Sequence, residues 1–175
     1  MLTMPRSTED LAAGEWAVLA VLAEHSTHGF AVARAMAPDG EIGKVWSLRR
    51  PLVYRAIDVL CEVGFALPTG TVPSTSGPRR TVIEATTEGR AAVERWMSEP
   101  VQHVREGRSL LMLKLLFLAR SGVDPKPLLS AQRERFETLA RRLEAAIGEA
   151  DGFDRVLLRW RLESTTAALR FIDGF

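Results

Sequence analysis

SLRRPLVYRAIDVLCEVGF, residues 47–65, is the stretch that decides the fold. Val53, Ala56, Ile57 and Leu60 recur at i, i+3, i+4 and i+7, the spacing of a helix face turned to a core. The opposite face carries Pro51, Tyr54, Arg55 and Asp58, with Arg49 and Arg50 immediately before it. Pro51 suits the first helical turn, where a missing N–H costs nothing, and Gly64 predicts the stop. Positive charge at a helix N-terminus opposes the macrodipole. Arginines placed there favour an anionic partner outside the helix over a merely solvated helix end.

On the N-terminal side, GEWAVLAVLAEHS spaces Trp16, Leu19, Ala20, Leu22 and Ala23 for a helix, with Ser7 or Thr8 as its cap or the cap of a preceding turn. THGFAVARAMA then predicts a short helix carrying Phe30, Ala33 and Met36, ended by Pro38, Gly40 and Gly43. On the C-terminal side, FALPTGTV and RTVIEATT are β-leaning runs joined by the polar cluster PSTSGP, a hairpin whose link is longer than a tight turn and should project. TTEGRAAVERWMSEP reads as a further helix with Thr86 or Thr87 near its cap and Pro100 at its end. Three helices, a hairpin and a fourth helix follow in winged helix-turn-helix order, and the third helix is the one such folds present to a DNA major groove.

Residues 101–175 differ in kind. Helices are predicted at about 108–121, 125–148 and 153–172. In the second, Leu129, Phe136 and Leu143 repeat every seven residues, with Gln132 and Ala146 weakening the companion series. In the third, Phe153, Leu157, Trp160, Ser164 and Phe171 form a stripe, and arginines such as Arg133, Arg135, Arg159 and Arg161 flank both helices. The fold class expected is therefore mainly α with a small β-hairpin: a winged helix-turn-helix domain over 8–100 and a C-terminal α-helical dimerisation region over 101–175.

The 175 residues are 46% apolar and 26% charged, ordinary for a globular chain. Cys61 is the sole cysteine, so no intrachain disulfide forms and a reducing cytoplasm fits. The first residues show no secretory pattern. The apolar run 110–119 is half a membrane span and is interrupted by Lys114, so no membrane partner is expected. Net charge is +1, but Gly43–Ile57 holds Lys44, Arg49, Arg50 and Arg55 with no acid, and Val63–Ile83 holds Arg79 and Arg80 with no acid. These windows are a local basic footprint.

The first hundred residues resemble the PadR family of winged-helix transcriptional regulators. GEWAVLAVLAE is similar to the family's first helix, THGFAVARAM to its His-Gly-aromatic start of helix two, and residues 47–65 to its recognition helix. Thr86 to Pro100 is the most specific part, through Thr-x-x-Gly-Arg, Trp96 and Pro100. The resemblance implies a homodimer held by C-terminal helices, a double-stranded DNA partner and, as in several relatives, a small aromatic effector. It departs from the family at Arg49-Arg50-Pro51, where a small-residue run is usual, and at Thr81, Val82 and Ile83, where wing strands often carry lysine and tyrosine. DNA sequence preference is therefore not carried over.

The expected DNA-binding residues are Ser47, Arg49, Arg50, Tyr54, Arg55, Arg79 and Arg80. Arginines can bond phosphate or guanine O6/N7, and a basic wing reaches phosphates or the minor groove. Tyr54 either hydrogen-bonds a phosphate or packs under the helix. Trp16 and Trp96 are candidate ligand-binding residues by resemblance, although a tryptophan at either position more often closes a core or an interface. His25 and His28 form H-x-x-H without two further ligands, so no metal or cofactor is expected and His28 reads as a helix-start residue. Cys61 reads as an inert thiol. No phosphate loop, nucleophile elbow or paired metal motif marks an enzyme. The function read is a ligand-responsive homodimeric repressor; the alternative is a winged-helix protein–protein adaptor that does not bind DNA.

Overall fold

A computed structural model describes residues 11–74 and 77–175. The chain divides into two compact units, one ending at Met97 and the other spanning Ser98–Phe175. Among the described residues no helix is long and apolar enough to cross a membrane.

The first unit runs α1 (Ala13–Glu24), β1 (Thr27–His28), α2 (Gly29–Ala35), α3 (Arg50–Glu62), β2 (Ala66–Ser74), β3 (Gly77–Ala85) and α4 (Thr87–Ser98). The start of α1 is held by Glu15, whose carboxylate accepts from the Ala12 N–H at 2.7 Å; Ser7 and Thr8, the expected caps, lie outside the described residues. Val53, Ala56, Ile57 and Leu60 of α3 are buried, as their periodicity requires, together with Leu19 and Leu22 of α1 and Val32 of α2. Gly64, at φ +77°, takes the left-handed conformation that ends α3, and the Phe65 N–H closes back on the Leu60 carbonyl at 2.8 Å.

The sheet has three strands in the order β1-β3-β2, all antiparallel, where the sequence showed only a hairpin. A strand of two residues carries no periodicity, so β1 left no signal. The hairpin is also longer than expected. Ser74 pairs with Gly77, so the strands take in most of PSTSGP, and the remaining two residues, 75 and 76, lie outside the described ones. Register shifts fall between Pro68 and Gly70 and between Val72 and Ser74. Proline donates no ladder bond, and β2, an edge strand, tolerates that loss.

The Thr-x-x-Gly-Arg motif joins α3, β2 and α4. The Thr86 hydroxyl donates to the Gly64 carbonyl at 2.8 Å and accepts from the Gly89 N–H at 3.0 Å, capping α4. A Cβ on Gly89 would stand 2.1 Å from the Phe65 carbonyl oxygen, so only glycine lets the helix approach so closely. Arg90 donates to the Ala23 carbonyl and pairs with Glu84 at 3.0 Å.

The second unit begins with a 3-10 turn (Val104–Glu106) and a π turn (Gly107–Leu111), followed by α5 (Met112–Ser121), α6 (Lys126–Glu149) and α7 (Gly152–Ile172). The heptad residues Leu129, Phe136 and Leu143 are buried on α6. Gln132, which weakened the pattern, is wholly buried: its Oε1 accepts from the Val101 N–H at 2.7 Å and its Nε2 donates to the Val101 carbonyl at 3.2 Å. Lys114 is buried as well, its Nζ donating to the Glu99 carbonyl at 2.5 Å. Burial lowers its pKa to about 8 despite the opposing pull of Glu99 and Glu106. The α7 stripe is shifted: Phe153, Val156 and Trp160 are exposed (76%, 59% and 71%), while Leu157 and Ser164 are half-buried.

Candidate nucleic-acid interface

The N-terminus of α3 is built without the usual acceptor. Arg49 occupies the N-cap position and its side chain makes no capping bond, although Ser, Thr, Asp or Asn normally stands there. Ser47, Arg49, Arg50 and Arg55 are all exposed. Among the described residues neither Arg49 nor Arg55 forms an ion pair; Pro51 has no N–H and the Leu52 N–H donates to the Arg49 carbonyl at 2.9 Å, so what this helix end presents is positive charge.

Of the two alternatives for Tyr54, the packing one is met in part. Its ring lies against the backbone of Gly29, where an added Cβ would meet Cε1 at 2.8 Å, yet the residue remains 39% exposed. The Arg50 guanidinium lies 5.6 Å from that ring's centroid. On the wing, Arg79 reaches across to β2, its Nε donating to Thr71 Oγ1 at 2.9 Å and its Nη2 to the Thr71 carbonyl at 3.3 Å. Arg80 turns instead towards α2, with its guanidinium 4.5 Å from the centroid of Phe30.

A cleft of about 580 Å³ opens where α2, α3 and the wing meet. Arg50, Tyr54, Arg79 and Arg80, which lie in two separate stretches of sequence, line it together with Asp58. Ser47, Arg49 and Arg55 do not line it; they stand on or beside the same end of α3. Phe30 and His28 also line the cleft and had not been assigned to the interface. No charge run marks either residue in the sequence; Phe30 stands out only in the fold, as a large apolar residue 39% exposed. Three arginines against one carboxylate give the cleft an excess of positive charge, and two of those arginines lie over the rings of Phe30 and Tyr54.

Trp16 and Trp96 stack face to face, with centroids 5.3 Å apart and planes inclined by 5°. Trp96 is buried and Trp16 half-buried, so each ring covers a face of the other. His28 is the N-cap of α2, its Nδ1 accepting from the Ala31 N–H at 3.0 Å. Among the described residues no three potential metal ligands cluster. Cys61 lines the cleft, its thiol pKa pushed up by burial and then by the charge of Asp58.

The first unit is therefore a winged helix-turn-helix: three helices, a three-stranded sheet ending in a two-stranded wing, and a fourth helix. In motifs and in element order the chain resembles PadR-family regulators. No protein-family model matches it. Over 92 residues it is 32% identical to the probable transcriptional regulator Rv1176c of Mycobacterium tuberculosis; the match takes in 53% of this chain and 47% of that protein, about half its length. Among solved structures, Bacillus subtilis PadR in complex with operator DNA superposes with a TM-score of 0.47 at 17% identity, over 91% of this chain and 96% of that one. The smu.1604c protein of Streptococcus mutans UA159 gives a TM-score of 0.44 at 14% identity, over 92% and 96%.

Proposed function

We propose that the chain is a sequence-specific DNA-binding transcriptional regulator of PadR type. The observation that carries this reading is the uncapped, arginine-bearing N-terminus of α3 standing beside two wing arginines in one winged helix-turn-helix unit. The description of the mycobacterial relative as a probable transcriptional regulator supports it. In this reading α3 enters a major groove, Arg49, Arg50 and Arg55 bond phosphate or guanine, and Arg79 rests on the flanking backbone.

The reading extends to a homodimeric repressor. Phe153, Val156 and Trp160 give α7 an exposed apolar stripe of the kind a second copy covers. A two-fold dimer reads an inverted repeat with half-sites about one helical turn apart. Light scattering checks the assembly: a monomer at micromolar concentration overturns it. A small aromatic effector completes the reading, and it fails if no aromatic compound that the protein binds alters its DNA affinity.

The decisive experiment is fluorescence anisotropy on the DNA upstream of the protein's own gene, beside a scrambled duplex and at several salt concentrations. Wild type should prefer its own upstream DNA, with a log–log salt slope of about −0.9 per phosphate neutralised. The Arg49/Arg50/Arg55→Ala variant should lose roughly a hundredfold or more. If wild type binds neither duplex at low salt, the regulator reading falls and a protein partner takes its place.

A further inference from the structure

His28 and Phe30 stand at the start of α2, outside both basic windows, yet they face the arginines of both. The hydrogen bond from the Ala31 N–H at 3.0 Å requires a lone pair on His28 Nδ1. The imidazole proton is then on Nε2. That nitrogen lies 3.4 Å from Nη1 of Arg80, which can only donate. Two donors facing each other at this distance do not bond; each needs an acceptor, and one acceptor between them serves both.

The same geometry gathers a third donor group. Phe30 lies under two guanidiniums from different elements, Arg80 of β3 at 4.5 Å and Arg50 of α3 at 5.5 Å from the ring centroid. Stacking on a ring uses the face of a guanidinium and leaves the N–H groups on its edge free to bond. Among the described residues neither arginine is paired with a carboxylate, so the His28 Nε2–H and two guanidinium edges converge on the cleft without an acceptor.

We propose that this cleft grips one phosphate group of the DNA backbone, with Phe30 as the positioning residue that aligns Arg50 and Arg80, and His28 Nε2–H as a further donor. The inference rests on the DNA-binding reading above and adds to it the residues that couple α3 to the wing. Phosphate chemistry fits because guanidinium forks match its oxygens in pairs. Asp58, which lines the same cleft, discriminates among phosphates. It repels a dianionic free phosphate more than a singly charged phosphodiester, so the backbone of a nucleic acid is the better occupant.

Two substitutions isolate the two roles. Phe30→Leu removes the ring while keeping an apolar side chain. His28→Asn keeps a side chain able to cap α2 while removing Nε2–H. Affinity for the upstream duplex and its salt slope are measured for wild type, both variants and Phe30→Tyr, with thermal melts confirming the fold. Phe30→Leu, which releases both guanidiniums, should weaken binding about tenfold and make the slope shallower by about 0.9; His28→Asn, which removes an uncharged donor, should weaken binding about tenfold with little change of slope; Phe30→Tyr should restore affinity and slope. If wild type binds with a steep slope and Phe30→Leu and His28→Asn match it in affinity and slope, the phosphate clamp is wrong while the regulator reading stands. If wild type binds no duplex, the regulator reading itself has failed. Titration with inorganic phosphate, followed by NMR at the His28 ring and the Ala31 amide, separates the source. Saturation at low millimolar phosphate would overturn the assignment to DNA backbone, and absence of saturation there supports it.

Discussion

In the unit ending at Met97, Arg50 and Arg80 lie over the ring of Phe30 at 5.5 and 4.5 Å, and neither meets a carboxylate among the described residues. In the unit Ser98–Phe175, Arg133 meets Glu137 at 2.9 Å and Asp173 at 2.5 Å, Arg135 donates to the Gln102 side chain, and Arg141 to Thr138 at 3.1 Å. Arg90 shows that the contrast follows use rather than location, since it lies in the first unit and is tied to Glu84 and the Ala23 carbonyl. An arginine whose donors are met within the fold holds the fold. One stacked on an aromatic ring is fixed in place with its donors turned outward. The buried polar groups Gln132 and Lys114 extend the first pattern through the second unit, where they bond backbone carbonyls within that unit.

That contrast breaks most visibly if an internally satisfied group proves dispensable. Gln132→Leu strands both the N–H and the carbonyl of Val101, which is 3% exposed. Each buried group left unmet costs about 1–3 kcal/mol, so a loss of about 3 kcal/mol is expected in urea unfolding. A change under about 1 kcal/mol would mean that water meets Val101 and that the second unit is looser than its bonds imply. Gly89→Ala tests the first unit's internal fit in the same assay. Its Cβ would meet the Phe65 carbonyl at 2.1 Å, and overpacking against backbone is expected to cost about 2–3 kcal/mol.

Much of this architecture was legible in the sequence. The core face of α3 was visible because four apolar residues kept helical spacing, and α6 because Leu129, Phe136 and Leu143 kept a heptad. The hairpin was visible, but its reach was not: Pro73, Ser74, Gly77 and Pro78 carry turn chemistry, and pairing across the strands overrode it at Ser74 and Gly77. Gln132 looked like a fault in the heptad because the pattern scores apolarity and cannot see a backbone partner 31 residues away. In the cleft, the arginines were found from charge runs. Phe30 was not, because its contact with Arg80 spans 50 residues and exists only once α2 meets the wing.

Lys114 supplies a smaller effect that depends on pH. Its folded-state pKa is lowered from 10.5 to about 8, with burial the leading cause. Between those values the unfolded chain holds the proton more tightly than the folded one, so stability rises with pH there. Below about pH 8 the lysine is charged in both states and the burial penalty is fully present. Wild-type unfolding free energy should therefore climb from pH 8 to pH 10, by on the order of 2 kcal/mol more than in Lys114→Met. Parallel curves for the two proteins would show that the ammonium reaches solvent.

Arg49→Ser gives the smallest change in stability and the sharpest separation of the two uses of arginine, because stability and binding should move in opposite directions. Arg49 holds the N-cap position of α3 with no capping bond. Serine there accepts from a backbone N–H in the first turn, worth about 1 kcal/mol, and removes a charge that opposes the helix dipole. The variant should therefore melt higher than wild type. In the regulator reading it should also bind the upstream duplex more weakly and with a shallower salt slope, because a phosphate or base contact has gone. A higher Tm with unchanged affinity would leave Arg49 as an unfavourable residue without a partner and restrict the DNA contact to the cleft. A lower Tm would mean that the arginine supports α3 through contacts in solution, and would place it with Arg90 and Arg133 among the arginines that hold the fold.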